Sequence, residues 1–274
     1  MKLKDFLFKI YILLSGAAII FTTLGIFLYL FYKGYGVISS EFIFSSPKGI
    51  PLGTQGGILP AIIGSLMSGL ISGFLGGILG LCTAVYLVFY CENENMANYI
   101  LHALQCLAGI PSVVIGMFGY SFFIVGLGIN KSLLSASVTL TIMIIPFISL
   151  RIKKALEETS IEQFIGSLSL GIPKGYTIIK LVIPNAFRYI MTSLGLGIVF
   201  AMGATAPVMF TGAVIVSGVP LKLTDPFMAL PYHLYILVNE GLSMEMAYGT
   251  ALVLIVIVLV INLICHFMGS LEGM

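Results

Sequence analysis

The sequence predicts an all-α fold, a polytopic membrane bundle of about six transmembrane helices. Three observations predict it. Of 274 residues, 59% are hydrophobic and only 9% are charged, with a mean hydropathy of +1.11. A soluble domain carries about 25% charged residues and needs them to coat its surface. The 24 charged residues are also clustered, leaving uncharged runs over 10–32, 49–91 and 246–271. Apolar runs above about 18 residues are long enough to cross the hydrocarbon core of a bilayer as helices. Finally, Lys and Arg fall unevenly between alternate connecting segments, as they do where one side of a membrane retains positive charge.

The elements follow in order. Lys2, Lys4 and Lys9 precede 23 uncharged residues, 10–32. That run exceeds the roughly 7–15 residues of a signal-peptide core, and no small-x-small cleavage site follows, so a retained first span is expected. Residues 33–56 are rich in Gly and Pro and read as turns. Spans two and three, 57–90 and 96–127, are longer than the roughly 20 residues a crossing needs, and Gly109 and Pro111 should break or kink the third. Spans four, five and six are expected at 132–150, 186–216 and 246–268. Between the last two, Asp225-Pro226 and Leu230-Pro231 precede the short apolar piece HLYILV, which suits an interfacial helix. No separate domain is indicated, so 1–274 is read as one transmembrane domain.

With the N-terminus inside, the inner segments hold Lys2, Lys4, Lys9, Arg151, Lys153, Lys154, Lys174, Lys180 and Arg188. The outer segments hold Lys33, Lys48, Lys131 and Lys222. Nine against four predicts a multi-pass protein of the cell membrane, surrounded by lipid, with both termini cytoplasmic.

Composition also excludes functions. The basic residues are spread along the chain, so no nucleic-acid footprint exists. The four cysteines lack CxxC spacing and read as small packing residues. His102 and His266 fall near span ends, and the Asp residues are Asp5 and Asp225, so a proton relay and an aspartyl protease both lack their groups. GxSG and the nucleotide-cradling GxxxxGK[ST] are absent. No catalytic residue, metal ligand or cofactor is therefore expected, and energy must come from elsewhere.

Two patterns remain. Small residues recur in span two as Gly64, Ser68, Ser72, Gly76 and Gly80, beside Ser65, Gly69, Gly73 and Gly77. Span five repeats the device with Ser193, Gly197, Ala201 and Thr205. Such rows let helix backbones approach closely, either within one bundle or against a partner that moves. The inner segment 151–185 reads as a helix, a break at Gly171-Ile172-Pro173, and a second helix over 174–182 ending before Pro184. Ala155, Leu156, Ile161, Phe164, Ile165 and Leu168 form one apolar stripe. The segment reads either as an amphipathic surface loop or as a docking element for a soluble partner.

At this segment the sequence resembles the permease subunits of ABC importers, whose EAA loop has Glu-Ala-Ala, a Gly four residues on, then Ile-x-Leu-Pro. Gly171 occupies the Gly position, and Leu181, Ile183 and Pro184 match the end of the pattern. The triplet falls on Ile165, Gly166 and Ser167; Glu162, one turn earlier, stands as the replacement for the missing Glu. Residues 108–119, AGIPSVVIGMFG, are similar to AGxPSIVxGLFG of the PstA-type subunits of phosphate-specific importers. Residues 203–211, GATAPVMFT, resemble their GETAPLLFT, and 225–231, DPFMALP, their DPFxALP. The resemblance implies the type I ABC-importer permease fold and coupling to an ATPase through Glu162, Gly166, Ser167, Gly171 and Pro184. It further implies two ATP-binding subunits, a homologous PstC-type permease and an extracytoplasmic phosphate-binding protein as partners.

The chain departs from the family where Phe200 and Ala204 stand in place of an Arg and a Glu, and Lys153 and Lys154 in place of an acidic pair. Three readings fit those changes: a companion subunit supplies the charges, the subunit transports a different solute, or it is a non-conducting scaffold. A translocation path is expected at Pro111, Ser112, Gly203, Thr205 and Pro207, where broken helix ends offer backbone N–H groups to an anion.

Overall fold

Long apolar runs without water to satisfy their backbone must close every hydrogen bond internally, which here means helices. The computed structural model describes residues 2–49, 55–159 and 161–271. Helix α1 (Lys2–Gly34) has Asp5 in its first turn and Lys33 in its last, the signs its dipole favours. A 3-10 turn (Tyr35–Val37) leads to α2 (Ser40–Phe44), where the Ser39 hydroxyl accepts from the Phe42 N–H at 3.1 Å. Strands β1 (Pro47–Lys48) and β2 (Gln55–Gly56) pair antiparallel, Pro47 opposite Gly56. Then come α3 (Leu59–Val85), extended by a π turn (Tyr86–Tyr90), and α4 (Glu94–Ala108), capped by the Asn93 side chain. Helix α5 (Ser112–Gly119) also runs on as a π turn (Tyr120–Gly126). Helices α6 (Leu133–Thr159), α7 (Ile161–Ser169) and α8 (Lys174–Thr177) follow. A third π turn (Ile178–Val182) joins α8 to α9 (Ile183–Gly203). Helices α10 (Thr205–Thr211), α11 (Leu230–Asn239) and α12 (Met244–Leu271) complete the chain.

Among the described residues five stretches are long and apolar enough to cross a membrane: Asp5–Val37, Leu59–Tyr90, Leu133–Glu158, Lys174–Gly203 and Met244–Met268. Helix α4 and the extended α5, bent by 96° at Gly109–Pro111, make a sixth if they count as one span. The expected break in the third span is therefore present. Two expected boundaries are not. Helix α6 passes through Pro146 and Arg151 to Thr159 instead of ending near residue 150. The expected stop before Pro184 is also absent, since helix runs unbroken from Lys174 to Gly203. The π turn just before Pro184 explains that: where the ladder changes from i−5 to i−4 bonding, a missing N–H and a ring clash are tolerated. The expected fifth span, 186–216, correspondingly starts earlier and breaks at Ala204.

The two small-residue rows of α3 serve two different neighbours within the chain. A Cβ on Gly76 would lie 2.9 Å from the Ile144 side chain, and one on Gly80 2.7 Å from that of Ile148, both on α6. The other row faces α9, where Gly69 meets Met202, Gly73 meets Ile198 and Gly77 meets Leu194. Packing within the bundle thus occupies both rows, and they are not a free face for a partner. Buried hydroxyls return to their own helices, as when Ser72 donates to the Gly69 carbonyl at 3.0 Å and Thr139 to that of Ser135 at 2.7 Å. Of the cysteines, Cys265 packs against Gly195, whereas Cys82 and Cys106 are exposed rather than packed inside. Helix α1 lies outside this core and touches α12, with the Tyr29 and Tyr248 hydroxyls 3.1 Å apart.

Candidate functional site

The segment after α6 is pinned from one side and bare on the other. Phe164 of α7 is buried, its ring centroid 4.5 Å from that of Phe89 in the π turn ending α3. The Ser167 and Thr177 hydroxyls are 2.8 Å apart and tie α7 to α8, while Lys174 Nζ sits 5.0 Å from the Tyr90 ring centroid. A hydrogen bond from the Asn185 side chain to that of Gln163 closes the hairpin. The turn between the helices needs Gly171, whose φ of +79° lies in the left-handed region, with open space where a Cβ would stand.

Outward stand Ile161, Ile165, Leu168, Leu170, Tyr176 and Ile179, Leu170 being 81% exposed. Glu162, Gly166 and Pro184 are exposed on this hairpin as well, whereas Ser167 faces inward. The single expected stripe is thus divided. Ala155 and Leu156 are buried parts of α6, Phe164 anchors α7, and Ile161, Ile165 and Leu168 are free of the chain's own core.

The second constellation lies at two helix breaks. The 96° bend places Ser112 at the start of α5, with the Pro111 carbonyl accepting from the Val114 N–H at 2.9 Å. Helix α9 stops at Gly203 because Ala204 is extended (φ −79°, ψ 110°), and α10 restarts at Thr205. Helices α5 and α10 touch backbone to backbone: a Cβ on Gly116 would stand 2.9 Å from Pro207 Cα and 3.0 Å from the Ala206 oxygen. This contact binds the 108–119 stretch to the 203–211 stretch.

Beside the breaks is a cavity of about 690 Å³, walled by Ser112, Met143, Val199, Phe200 and the run Gly203–Ala206. Ser112, Gly203 and Thr205 therefore meet on one cavity. Pro111 and Pro207 are not among its walls; the first opens α5 and the second is buried against Gly116. Among the described residues no ionisable side chain lines this cavity, and the Phe200 ring meets that of Phe147 at a tilt, with centroids 5.8 Å apart.

The third stretch, 225–231, is structural. The Asp225 carboxylate accepts from the Leu221 and Lys222 N–H groups at 3.2 and 2.9 Å, closing a turn. Phe227, Met228 and Leu230 are wholly buried, and the Leu230 N–H donates to Ser65 Oγ at 2.7 Å. Sequence reasoning missed two features here. Lys131, counted only as an outer charge, donates from Nζ to the Met209 carbonyl at 3.2 Å, a cation at the end of α10. His233 of α11, which is too short to span, is buried, and burial lowers its pKa from 6.5 to about 4. A His among apolar residues in HLYILV was the available signal for the second.

A helical bundle of this form, broken beside a cavity and carrying an anchored hairpin bare on one side, is a membrane transport permease. The chain belongs to the family described as binding-protein-dependent transport system inner membrane component, whose model matches residues 92–271. Over 94% of its length it is 25% identical to "Probable ABC transporter permease protein YqgI" of Bacillus subtilis, covering 92% of that protein. It is 33% identical to phosphate transport system permease protein PstA 1 of Mycobacterium tuberculosis, over 67% of this chain and 60% of that one.

Among solved structures, a chain of the MetNI methionine ABC transporter, in inward-facing conformations, matches with a TM-score of 0.67 at 18% identity. The match covers 78% of this chain and 95% of that one. A bacterial alginate ABC transporter, in complex with a periplasmic protein bound to alginate pentasaccharide, also gives 0.67, at 13% identity over 94% and 93% of the two chains. The fold is that of type I ABC-importer permeases, and the chain is the permease subunit of an ABC importer, a multi-pass membrane protein.

Proposed function

We propose that this permease carries inorganic phosphate or a related oxyanion, driven by ATP hydrolysis on a separate subunit. One observation carries the reading: Ser112 and Thr205, from two separate motif stretches, face one cavity between two helix breaks. Their hydroxyls, with N–H groups at the start of α5, offer an oxyanion donors without a fixed counter-charge to hold it back. Relatives named as phosphate permeases support the choice of solute. The bare face of α7 and α8 would receive one of two ATP-binding subunits. A homologous PstC-type permease would complete the path, and an extracytoplasmic phosphate-binding protein would deliver the solute. The charge asymmetry supports a cell-membrane orientation with both termini in the cytoplasm.

Replacing Ser112→Ala together with Thr205→Ala should lower solute uptake while binding of the ATPase subunit persists; undiminished uptake would discard the site. A second reading, a non-conducting scaffold, draws on Phe200 and Ala204, which leave the cavity without charge. ATPase activity stimulated by solute and its receptor separates the two, because a scaffold gives none.

A further inference from the structure

Three cavities lie in a row along the groove between α6 and α9, and neighbours share walls. The 690 Å³ cavity has Ser112, Met143 and Phe200 in common with a second of about 290 Å³, which also reaches Phe147 and Arg151. Arg151 is in turn shared with a third, of about 560 Å³. On α6 the wall residues Met143, Phe147, Arg151, Lys154 and Glu158 follow one another at three or four positions, so one helix face lines the whole row.

The chemistry changes along the row. Among the described residues the first cavity has no charged wall, and the second is lined by the Phe147–Phe200 pair. The third gathers Arg151, Lys154 and Arg188, with His266 from α12 beside them. Three of the chain's 13 Lys and Arg thus converge on one hollow.

Their charges are mostly uncompensated. Among the described residues the ion pairs are Lys153–Glu157 at 2.6 Å and Lys154–Glu158 at 3.7 Å. Glu158 lines the hollow but is matched to Lys154. Arg151 lies over the Phe147 ring, 5.5 Å from its centroid, a contact that orients the guanidinium without neutralising it. Neither it nor Arg188 has a carboxylate partner among the described residues. The hydroxyls of Thr192 and Ser193, also in the wall, donate to the Arg188 and Tyr189 carbonyls at 2.9 and 2.7 Å, so the free donors are the cationic ones. Two guanidinium groups lining one hollow match the oxygens of a phosphoryl group, which planar donors grip in pairs.

We infer that the 560 Å³ hollow is a binding site for a phosphoryl oxyanion, held by Arg151 and Arg188, with the Lys154–Glu158 pair at its wall. Arg151, which lines both the second cavity and the basic hollow, is its central residue. The ligand chemistry is that of free inorganic phosphate and equally of an anionic lipid headgroup, since basic pockets between spans take such headgroups. The inference goes beyond the transport reading and stands without it.

The test uses the full chain in phosphatidylcholine nanodiscs, and binding of radiolabelled inorganic phosphate is followed by equilibrium dialysis. A parallel sample in nanodiscs containing phosphatidylglycerol is examined by native mass spectrometry for retained lipid. Arg151→Gln and Arg188→Gln should each weaken the bound ligand at least tenfold. Arg151→Lys, which keeps charge but not the fork, should weaken it less. Lys180→Gln, a cation outside the hollow, should change nothing. Loss of phosphate binding identifies the free anion, and loss of retained phosphatidylglycerol identifies the lipid. Neither ligand bound by the wild type, or binding indifferent to both Arg variants, overturns the inference. Because both Arg side chains are exposed and have no carboxylate partner among the described residues, the variants should melt like the wild type, which separates lost binding from lost folding.

Discussion

Gly116→Ala tests whether backbone contact between the two broken helices holds the cavity in shape. The added methyl would stand 2.9 Å from Pro207 Cα, 3.0 Å from the Ala206 oxygen and 3.0 Å from the Phe210 ring, whereas ordinary contact begins at 3.4 Å. Two of these atoms belong to the backbone, so rotating a side chain does not relieve the overlap. Helices α5 and α10 must part by about half an ångström, and overpacking of this kind costs about 1–3 kcal/mol. Alanine recovers roughly 0.5–1 kcal/mol through its better helix propensity. A net loss of about 1–2 kcal/mol remains, which is roughly a five- to thirtyfold shift in a two-state equilibrium. Gly16→Ala in α1, with nothing within 4 Å, receives the propensity gain alone. Thermal unfolding of the purified full chain in one detergent compares them, and uptake in cells reports the functional consequence. Gly116→Ala should melt below the wild type and transport less, and Gly16→Ala should melt at or above it. Equal melting points for the two variants would mean that close contact at Gly116 does not hold α5 against α10.

Two further outcomes follow from the same geometry. Phe164→Ala removes the buried ring that seats α7 on Phe89. Phe-to-Ala changes in packed sites cost about 3–5 kcal/mol, here concentrated on one hairpin, so hydrogen exchange over 161–173 should accelerate while the rest of the bundle stays protected. Unchanged exchange there would mean that Phe164 is not the anchor. His233 gives a pH dependence: its folded pKa, about 4, lies below the ordinary 6.5. The unfolded chain therefore binds more protons between those values, and stability present above pH 6.5 is lost as pH falls toward 4, by roughly 3 kcal/mol in all. Melting measured across that range should drop at acid pH in the wild type and flatten in His233→Leu; parallel curves would exclude His233 as the cause.

The parts of the fold legible in the sequence were those governed by local chemistry. Gly109 and Pro111 announced the bend between α4 and α5, because neither residue sustains a helix there. The small-residue rows announced close packing but not which helix fills each row, since that depends on side chains such as Ile148 and Ile198 far along the chain. The change from apolar to charged residues at Arg151 marked a change of surroundings, and α6 simply continues through it. Pro184 misled because a π turn, invisible in composition, removes the usual penalty. The inward turn of Phe164 and the convergence of Arg151 with Arg188 are tertiary facts that helical periodicity within either segment does not contain. The meeting of Ser112 with Thr205 was legible only through the two motif stretches, whose contact depends on Gly116 having no side chain.

The proposed function has an ATP-hydrolysing partner drive the bundle through the bare apolar face of the hairpin after α6. Capture of the ATP-hydrolysing partner by the tagged full chain, with and without Ile165→Asp plus Leu168→Asp, tests it most directly. Both side chains are exposed, so the double variant should melt like the wild type. The wild type should retain its partner and the variant should lose it. Equal capture by both would mean that the hairpin's apolar face is not where the partner binds.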